Sequence, residues 1–384
     1  MDFFKGKKIF ITGHTGFKGT WLTRIMLTAG ATVIGYSLES PTSTNLYSMA
    51  GFGEYEKRGQ LKSVIGDIRD LKKLSNIMLE ECPDIVFHLA AQPIVRESYK
   101  SPVYTYEVNT MGTVNVMEAV RQCMMSEIKI GSVVIITTDK VYKNSEREFW
   151  GYREYEELDG FDPYSNSKSC AELVVHSYRN SFFKGEGECK WLVPISTARA
   201  GNVIGGGDFA NDRIIPDAVR AIEYASQNGE MEAVLKVRNP YSTRPYQHVL
   251  EPLAVYLRIA QMQYLDDSYA DFYNVGPDDC DCVTTGELVT LFCESWNSII
   301  ETARMPKLLW RTCGEYDAPH EAGFLKLDST KIKVRLGYKP RWHIKQCIDK
   351  TADFTKIWLE DIQRIPDEMD REIAEYYSII PKSI

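Results

Sequence analysis

The sequence predicts an α/β protein with a doubly wound parallel sheet and a smaller α/β domain toward its C-terminal end. Over the first 200 residues, short runs rich in β-branched residues alternate with longer helical patterns, as they do in parallel sheets. Apolar runs such as VVII and DIVFHLA predict strands that are buried on both faces. The second half is less regular and is punctuated by Pro and Gly. We therefore expect one domain over residues 1–200, joined by some later segments, and a second domain over residues 201–384.

The elements of the first domain follow from the period of the apolar residues along the chain. The predicted strands are Lys8–Thr12, Thr32–Tyr36, Leu61–Ile65, Ile85–Leu89, Ser132–Thr137 and Trp191–Ala198. The predicted helices are Phe17–Ala29, Leu71–Glu81, Val103–Cys123 and Tyr164–Phe183. In the second half we expect helices over Asp212–Ser226, Leu250–Tyr264, Thr285–Ser298 and Ile344–Ile365, and strands over Ala233–Val237, Phe272–Val275 and Leu308–Trp310.

Bulk composition argues against several classes of function. The chain has 384 residues and a net charge of −8, without clustered basic residues, which argues against a nucleic-acid surface. No apolar stretch approaches the roughly 20 residues of a membrane span, and no signal peptide is evident, so we expect a cytoplasmic protein. The nine cysteines form no CxxC pair, and the closest two are Cys280 and Cys282. We therefore expect reduced thiols and no metal site.

A glycine-rich turn joins the first predicted strand to the first predicted helix. It reads TGHTGFKG, which places Gly13, Gly16 and Gly19 in GxxGxxG spacing. In this motif, typical of the dinucleotide-binding Rossmann fold, glycines permit a tight turn, close approach to a pyrophosphate and tight packing of helix on strand. The diphosphate then lies at the positive end of the helix. We expect the cofactor to contact the whole turn, namely Gly13, His14, Thr15, Gly16, Phe17, Lys18 and Gly19.

Two side chains of this turn leave alternatives open. Lys18 adds positive charge near the diphosphate, and His14 crowds the cofactor and weakens its retention. Alternatively, both side chains turn to solvent. The residue types alone do not separate these possibilities.

The end of the second predicted strand bears on the choice between NAD and NADP. It reads GYSLES, with no acid directly after the strand and no arginine that would clamp a 2′-phosphate. We therefore expect NAD, with Ser37 hydrogen-bonded to the ribose. Asp67 and Ile68 follow the third strand and are placed to bracket the adenine. Alternatively, Asp67 is the N-cap of the helix that begins at Leu71.

Two further motifs predict acid–base chemistry. In YSNSK, Tyr164 and Lys168 are four residues apart and share one helical face, so the lysine can lower the pKa of the tyrosine. The phenolate would then accept a hydroxyl proton. IITTDK ends the fifth predicted strand, where open α/β sheets bind ligands. Its residues Thr137, Thr138, Asp139 and Lys140 are therefore expected to project into the crevice, although Asp139 and Lys140 could form a plain surface ion pair.

The motifs TGHTGFKG, HLAAQ, TTDK and YSNSK together resemble the extended short-chain dehydrogenase/reductase superfamily. The finer details resemble the CDP-glucose 4,6-dehydratases, through GFKGTWL, HLAAQPIVRESY, VNTMGT, TTDKVY, WGYRE, DPYSNSK, ARAGNVIGGGDF, RNPYSTRPYQHV and HEAGFLKLD. The resemblance covers residues 6–342. The dTDP-glucose dehydratases are also similar, but they carry Asp–Glu where this chain has Asp139–Lys140. That departure favours the relatives that act on CDP-sugars and puts a glutamate base in doubt.

The resemblance implies a specific reaction on CDP-glucose. Tyr164 takes the proton of the sugar 4-hydroxyl while bound NAD accepts hydride from carbon 4, and Thr138 hydrogen-bonds the 4-oxygen. Asp139 protonates the departing hydroxyl, and Lys140 becomes the candidate base at carbon 5. The same hydride returns to carbon 6 and leaves a 4-keto-6-deoxy sugar. Along the cofactor, the resemblance places Leu89, Ala90, Ala91, Thr137, Tyr164 and Lys168.

The substrate is expected to meet arginines, because their planar forks suit phosphate oxygens. Arg238 and Arg244 lie in RNPYSTRPYQHV, which we interpret as a loop, and the resemblance favours Arg244 as the diphosphate ligand. The other expected substrate contacts are Gln92, Arg96, Asn202, Arg213 and His320. For each of these, the alternative is a structural contact within a loop, such as an ion pair of Arg96 with Glu97.

Relatives pair two long helices across a dimer interface. We therefore expect a homodimer through helices 103–123 and 164–183, unless these helices simply pack on the sheet. A dTDP-sugar 4,6-dehydratase and a nucleotide-sugar 4-epimerase remain alternatives on the same scaffold. A non-catalytic NAD(P)-binding regulator is an alternative of another class, but it would not need Tyr164 and Lys168.

Overall fold

The computed structural model describes residues 1–147, 150–185, 191–300, 305–314 and 323–378. Within them the strands are β1 (Lys8–Thr12), β2 (Thr32–Ser37), β3 (Leu61–Ile65), β4 (Ile85–His88), β5 (Ser132–Thr138), β6 (Ile195–Ala200), β7 (Asn202–Ile204), β8 (Glu232–Val237), β9 (Thr243–His248), β10 (Phe272–Val275), β11 (Cys282–Thr284) and β12 (Lys307–Thr312). Each predicted strand has a counterpart among these, with ends that shift by a few residues.

The α-helices of the same residues are α1 (Phe17–Thr28), α2 (Leu46–Met49), α3 (Gly53–Lys57), α4 (Leu71–Glu81), α5 (Val95–Lys100), α6 (Pro102–Tyr106), α7 (Gly112–Met125), α8 (Pro163–Phe182), α9 (Ile214–Gln227), α10 (Leu250–Leu265), α11 (Thr285–Ile299), α12 (Thr330–Leu336), α13 (Ile344–Glu360) and α14 (Ile365–Ser378). A π-helical turn, Glu107–Met111, joins α6 to α7. The described helices include none that is both long enough and apolar enough to cross a lipid bilayer.

The central sheet confirms the predicted doubly wound fold. Its seven strands run in the order β10-β6-β5-β4-β1-β2-β3, and all of their pairings are parallel. The chain builds outward from β1 in one direction through β2 and β3, and in the other direction through β4, β5 and β6. Between β1 and β4 the order reverses, and open sheets of this kind bind ligands at the carboxyl ends of the strands beside such a reversal.

Helices cover both faces of this sheet, because successive strand residues point to opposite sides. Ile11 of β1 belongs to the core that includes Trp21 of α1 and Leu253 of α10. Its neighbour Phe10 belongs to the opposite core, with Val116 of α7. Each of these side chains is fully buried, and burying one stabilises the fold by about 1.5–3 kcal/mol. The two cores fix the strand ends that carry the site.

The strands of the second half of the chain do not all lie in a separate sheet. β10 returns to the central sheet and pairs with β6. The remaining strands form a three-stranded sheet, β11-β9-β7, and a two-stranded sheet, β12-β8. The prediction of a loop around Arg244 was wrong, because residues 243–248 form β9 and pair with β7 and β11. Tertiary pairing with two partners overrides the two prolines nearby, Pro240 and Pro245.

The helix predicted over Ile344–Ile365 ends five residues early, and the helix that follows it, α14, was not predicted. α13 ends at Glu360, a short 3-10 turn follows, and α14 begins at Ile365. Pro366 explains the break, because proline is tolerated only in the first turn of a helix. α14 packs on α1, where Arg24 donates to both carboxylate oxygens of Asp370 at 2.7 and 2.6 Å. The C-terminal segment thereby closes back onto the first domain.

Candidate active site

The glycine turn between β1 and α1 is shaped by steric contact at two of its three glycines. Gly13 has φ +77°, and a Cβ there would lie 2.7 Å from the backbone nitrogen of Ala90. A Cβ on Gly19 would lie 2.0 Å from the carbonyl oxygen of Gly13. Gly16 is the N-cap of α1, and a Cβ there would meet only that same carbonyl, at 3.4 Å. Gly16 is therefore the open position at which a ligand can approach the backbone.

The two polar side chains after Gly13 point away from the open side of this turn. His14 is fully buried, and its Nε2 lies 2.7 Å from Ser63 Oγ. Its ring is packed so closely on Gly35 that a Cβ there would lie 2.3 Å away. The alternative of a solvent-facing His14 was therefore wrong, and burial lowers the pKa of this imidazole to about 4. Thr15 Oγ1 lies 2.9 Å from Ser37 Oγ and joins the turn to the end of β2.

The loop after β3 forms the far end of the crevice. A cavity of about 530 Å³ there is lined by Asp67, Arg69, Asp70, Glu107, Met111 and Asn115. Asp67 accepts from Arg69, which lowers the pKa of that carboxyl. Asp67 is not the N-cap of α4, since Asp70 caps it by accepting from the backbone of Lys73 at 3.0 Å. The alternative of a capping Asp67 was wrong, and Asp67 lines the cavity next to buried Ile68.

The segment after β4 is fixed from both sides. Thr12 Oγ1 accepts from the backbone N–H groups of Leu89 and Ala90, at 3.1 and 3.2 Å, and lies 2.7 Å from His88 Nδ1. Leu89, Ala90 and Ala91 are half-buried and run along the crevice. The hydroxyl of Thr12 thus sets the path of a segment that the sequence identified only by its motif.

Gln92 was predicted to contact the substrate, and its side chain is engaged in the protein instead. Its Nε2 donates to the Ile94 carbonyl at 3.1 Å and to Thr105 Oγ1 at 3.0 Å, and its Oε1 accepts from Ile94 N. Asn109, in the π-helical turn, binds the backbone of Gln92 on both sides and donates to Ser167 Oγ of α8 at 2.9 Å. Gln92 and Asn109 therefore join the loop after β4 to α8, a role that the sequence did not reveal.

Three side chains form one hydrogen-bonded series at the carboxyl end of β5, and Tyr164, at the start of α8, lies beside it; these four residues are called the catalytic series below. Thr138 lowers the pKa of the Tyr164 phenol, which places the two side chains close together. Thr138 Oγ1 donates to Asp139 Oδ1 at 2.9 Å, and Lys140 Nζ donates to the same oxygen at 2.8 Å. Lys140 Nζ also donates to Asn202 Oδ1 at 3.2 Å. Asp139 is fully buried, and its Oδ2 has no hydrogen-bond partner among the described residues. The pair is therefore not a surface ion pair.

Burial shifts the pKa values of both residues of the YxxxK motif at the start of α8. Burial raises the pKa of Tyr164 to about 12, against the opposing effects of the Thr138 hydrogen bond and of Arg213. Lys168 Nζ donates to the Ile136 carbonyl at 3.3 Å, and burial lowers its pKa to about 8. Desolvation outweighs the influences that lower the pKa of Tyr164, and the expectation that Lys168 lowers this pKa stays a prediction. A cationic ligand beside Tyr164 would favour the phenolate.

Thr137 was expected to contact the cofactor, but its hydroxyl donates to Glu172 of α8 at 2.5 Å. Glu172 also accepts from Thr197 Oγ1 at 2.8 Å and from Arg199 Nη2 at 2.9 Å. Arg199 Nη1 in turn donates to Tyr142 Oη at 2.7 Å. This buried network lies next to the catalytic series. No sequence motif indicated its two charged residues, Glu172 and Arg199.

Lys18, in the first turn of α1, is not fully turned to solvent. The side chain is half-buried, and burial lowers the pKa of its ammonium to about 7. Arg213 and Lys168 lower that pKa further, whereas Asp139 and Asp208 raise it. Asp208, which accepts from Arg213 at 3.4 Å, was not anticipated.

The predicted substrate residues are spread more widely. Arg213 precedes α9 and faces the catalytic series. Arg238 lies 3.9 Å from Asp212, and Arg244, in β9, is buried and donates to the Thr243 carbonyl. Arg96 is half-buried on α5. His320 lies outside the described residues.

The crevice fits a dinucleotide in its shape and charge. Gly16 leaves the start of α1 open, and the first turn of that helix contains no acidic residue. The cavity beside Asp67 can hold a base, and the buried Lys168 supplies a cation at the other end. Helix N-termini bind phosphate through free backbone N–H groups, and the helix dipole adds to that attraction.

Comparisons with known proteins agree with this geometry. A family model described as GDP-mannose 4,6 dehydratase matches residues 10–351. The CDP-glucose 4,6-dehydratase of Salmonella typhimurium is 43% identical over 378 residues, which is 98% of this chain and 98% of that relative. Two solved structures share the fold, both bound to NAD. UDP-glucuronic acid 4-epimerase from Bacillus cereus, bound also to UDP-glucuronic acid, has a TM-score of 0.70 at 18% identity and covers 91% of this chain and 99% of its own. UDP-glucose 4-epimerase from Thermus thermophilus has a TM-score of 0.68 at 21% identity, with the same coverage.

Proposed function

The chain belongs to the GDP-mannose 4,6-dehydratase family of extended short-chain dehydrogenases/reductases, and we propose that it is a CDP-glucose 4,6-dehydratase. It would convert CDP-D-glucose to CDP-4-keto-6-deoxy-D-glucose and water, with NAD held as a bound cofactor. One observation carries the proposal. Thr138, Asp139 and Lys140 form one hydrogen-bonded series at the end of β5, next to Tyr164 and beside a glycine turn that is open to a diphosphate. The extensive identity to the Salmonella dehydratase supports the choice of substrate.

The cofactor site uses residues from both halves of the crevice. The backbone at Gly16 would hold the diphosphate, Ser37 the ribose and Asp67 with Ile68 the adenine. Lys168 would bind at the nicotinamide end. When bound, NAD supplies an acceptor and later a donor of hydride, with a positive charge in its oxidised form.

Tyr164 is assigned the proton of the sugar 4-hydroxyl. Its phenolate accepts that proton while Thr138 holds the 4-oxygen by a hydrogen bond. Burial disfavours the phenolate, and the positive charge of Arg213 opposes that effect. The positive charge of oxidised NAD, when bound, would favour the phenolate further.

Asp139 and Lys140 are assigned the elimination of water from carbons 5 and 6. One proton moving from Lys140 Nζ to Asp139 Oδ1 across their 2.8 Å contact yields a neutral amine and a neutral carboxyl. The amine then takes the proton from carbon 5, and the carboxyl gives its proton to the hydroxyl that leaves carbon 6. The ion pair is restored and one water molecule is released. When carbon 6 is reduced, the Lys140 ammonium returns a proton to carbon 5, and the proton that Tyr164 took from the 4-hydroxyl makes up the one that the pair has lost.

The substrate assignment is tested with CDP-, dTDP-, GDP- and UDP-glucose. CDP-glucose is expected to give a 4-keto-6-deoxy product, which absorbs in the near ultraviolet under alkali, at a higher kcat/KM than the others. If the enzyme prefers dTDP-glucose, the proposed substrate is wrong. If the product is epimerised at carbon 4 and lacks that absorbance, the proposed reaction is wrong.

The acid–base assignment is tested with Lys140→Met. This variant is expected to oxidise carbon 4 and accumulate reduced cofactor, but to release no dehydrated product. Lys143→Met is the matched control, since Lys143 is an exposed lysine three residues further along and should keep full activity. Unchanged turnover in Lys140→Met would remove Lys140 from the mechanism.

We also propose a homodimer through the helices predicted at 103–123 and 164–183, which correspond to α6, α7 and α8. Val103, Met111 and Leu173 on these helices and the π-helical turn between them are 71%, 51% and 55% exposed. Such an apolar surface is expected to be covered. Light scattering should give the mass of a dimer, and Leu173→Lys should lower that mass. Tyr224→Lys, at an exposed position of α9, is the control and should leave the mass unchanged. A monomeric parent protein would overturn the proposal.

A further inference from the structure

Asn202 lies where the chain leaves the central sheet for the three-stranded sheet. β6 ends at Ala200, which pairs in register with Thr138 of β5, and β7 begins at Asn202. One residue, Gly201, separates the two strands. Parallel neighbouring strands advance by the same rise per residue, so the residues that follow Thr138 and Ala200 remain side by side. This register brings Asn202 next to Lys140.

The glycine before Asn202 permits the chain to pass close to the buried acid of the site. A Cβ on Gly201 would lie 2.9 Å from Pro245 Cγ and 3.5 Å from Asp139 Oδ2. The N–H of Gly201 donates to the Val275 carbonyl at 3.4 Å. The backbone is therefore held by the sheet while it passes the catalytic series, and this fixes the point from which the Asn202 side chain extends.

The side chain of Asn202 contacts the lysine of the acid–base pair. Lys140 Nζ donates to Asn202 Oδ1 at 3.2 Å and to Asp139 Oδ1 at 2.8 Å. An ammonium carries donors only, so the amide must turn its oxygen toward it. The expected contact of Asn202 with the substrate stays a prediction, but the oxygen of this amide is already engaged by the lysine.

We propose that Asn202 is a positioning residue, which turns the neutral amine of Lys140 toward carbon 5 of the hexose. Once Lys140 has given a proton to Asp139, its nitrogen keeps two N–H groups and gains one lone pair. The amide oxygen of Asn202 can only accept, so an N–H faces it and the lone pair does not. The lone pair is left with the directions of Asp139 and of the crevice, where the sugar would lie. This inference rests on the proposed function, because it takes Lys140 to be the base of the elimination.

An amide suits this role better than a carboxylate would. Asp139 already pairs with the ammonium of Lys140 at 2.8 Å. A second negative charge at the position of the Asn202 amide, 3.2 Å from Nζ, would favour the charged form of the lysine. It would thereby oppose the proton transfer that makes the lysine a base. The amide supplies a hydrogen bond without adding charge.

The test compares Asn202→Ala and Asn202→Asp with the parent enzyme, with CDP-, dTDP-, GDP- and UDP-glucose as substrates. Asn202→Ala should lower kcat by about 10- to 100-fold, the range for losing one hydrogen bond to a charged group. KM should not rise, and NADH should accumulate during turnover, because oxidation of carbon 4 precedes the slowed elimination. Asn202→Asp keeps an oxygen at the same place, yet it should also accumulate NADH at pH 7. Raising the pH should accelerate this variant more than the parent enzyme.

Asn76→Ala is the matched control, because Asn76 is exposed on α4 and its replacement should leave kcat unchanged. The midpoint of urea unfolding should also stay unchanged in both Asn202 variants. If KM rises in Asn202→Ala without accumulation of NADH, Asn202 contacts the substrate instead, and the proposal is overturned. An unchanged kcat in Asn202→Ala, or full activity of Asn202→Asp at pH 7, would overturn it as well. A lower midpoint without accumulated NADH would make the role of Asn202 purely structural.

The parent enzyme decides the proposed function separately. If it prefers to dehydrate another nucleoside diphosphate hexose, the CDP assignment fails, and the Asn202 comparison is made with that substrate. If it dehydrates none of the four, both proposals are wrong.

Discussion

Two acid–cation pairs lie side by side at the end of β5, and they are built in opposite ways. In the Glu172–Arg199 pair both side chains are at most 3% exposed, and each carboxylate oxygen is hydrogen-bonded. In the Asp139–Lys140 pair the lysine is 26% exposed and Asp139 Oδ2 has no partner among the described residues. In the first pair both carboxylate oxygens are satisfied within the fold, and on the arginine only Nε has no hydrogen-bond partner among the described residues. The second keeps hydrogen-bonding capacity that only a ligand or a proton transfer can use.

The alternation of side chains along β5 produces this difference. Thr137 is paired in register with Arg199 and donates to Glu172, on the face covered by α8. Thr138 follows on the opposite face and begins the catalytic series. Of these two adjacent threonines, Thr137 therefore supports the buried Glu172–Arg199 pair, and Thr138 belongs to the catalytic series. A buried polar group with all its bonds made stabilises a unique arrangement, whereas one with bonds left open is poised to react.

The largest effect that would sharpen this contrast is expected from Glu172→Ala. Removing one partner of a buried pair leaves Arg199 without its counter-charge, which costs about 3–5 kcal/mol of unfolding free energy. Urea unfolding measures that change.

Asp139→Asn is the matched control at the other pair. It should change the unfolding free energy by less than about 1 kcal/mol, because the amide keeps the shape and the site is already partly open. Product formation should fall by about 10²–10⁴-fold, the usual contribution of a general acid. Equal losses of stability in the two variants would erase the distinction between the pairs.

The Glu172–Arg199 pair illustrates what could not be predicted from the sequence. The strand–helix alternation, the glycine turn and the YxxxK and TTDK motifs are local patterns, and they located the central sheet and the catalytic series. Glu172, Arg199 and Asn109 act through partners 17 to 58 residues away, and no local pattern encodes those distances. Gln92 was misassigned for the same reason, since its partner Thr105 lies on a helix. Strand β9 was not predicted, because its extended conformation depends on pairing with β7 and β11.

A second effect concerns Lys168, which lies between the two pairs. Burial lowers its pKa from 10.5 to about 8, while Glu172 opposes that shift. Between these two pH values the unfolded chain binds more protons than the folded one, so stability rises with pH across that window. Below pH 8 the folded chain carries the full cost of the buried cation.

Lys168→Met is therefore expected to raise the unfolding free energy by about 3 kcal/mol at pH 7 and to abolish activity. Urea unfolding from pH 7 to 10, without added cofactor, should show the parent protein approaching the variant as the pH rises. Curves that stay parallel would show that the ammonium is not buried at a cost. Replacing a functional residue commonly raises the stability of an enzyme at the expense of its activity.

The smallest effect gives the sharpest comparison, because it uses one isosteric change at two adjacent positions. Thr137→Val leaves Glu172 Oε1 without its donor and is expected to cost about 1–3 kcal/mol of unfolding free energy. Its kcat should change little, since Thr137 faces α8. Thr138→Val removes the hydroxyl that donates to Asp139 and lies beside Tyr164, so kcat should fall by about 10- to 100-fold with stability nearly kept. If both variants lose activity alike, Thr137 also serves the chemistry, and the separation of support from catalysis along β5 does not hold.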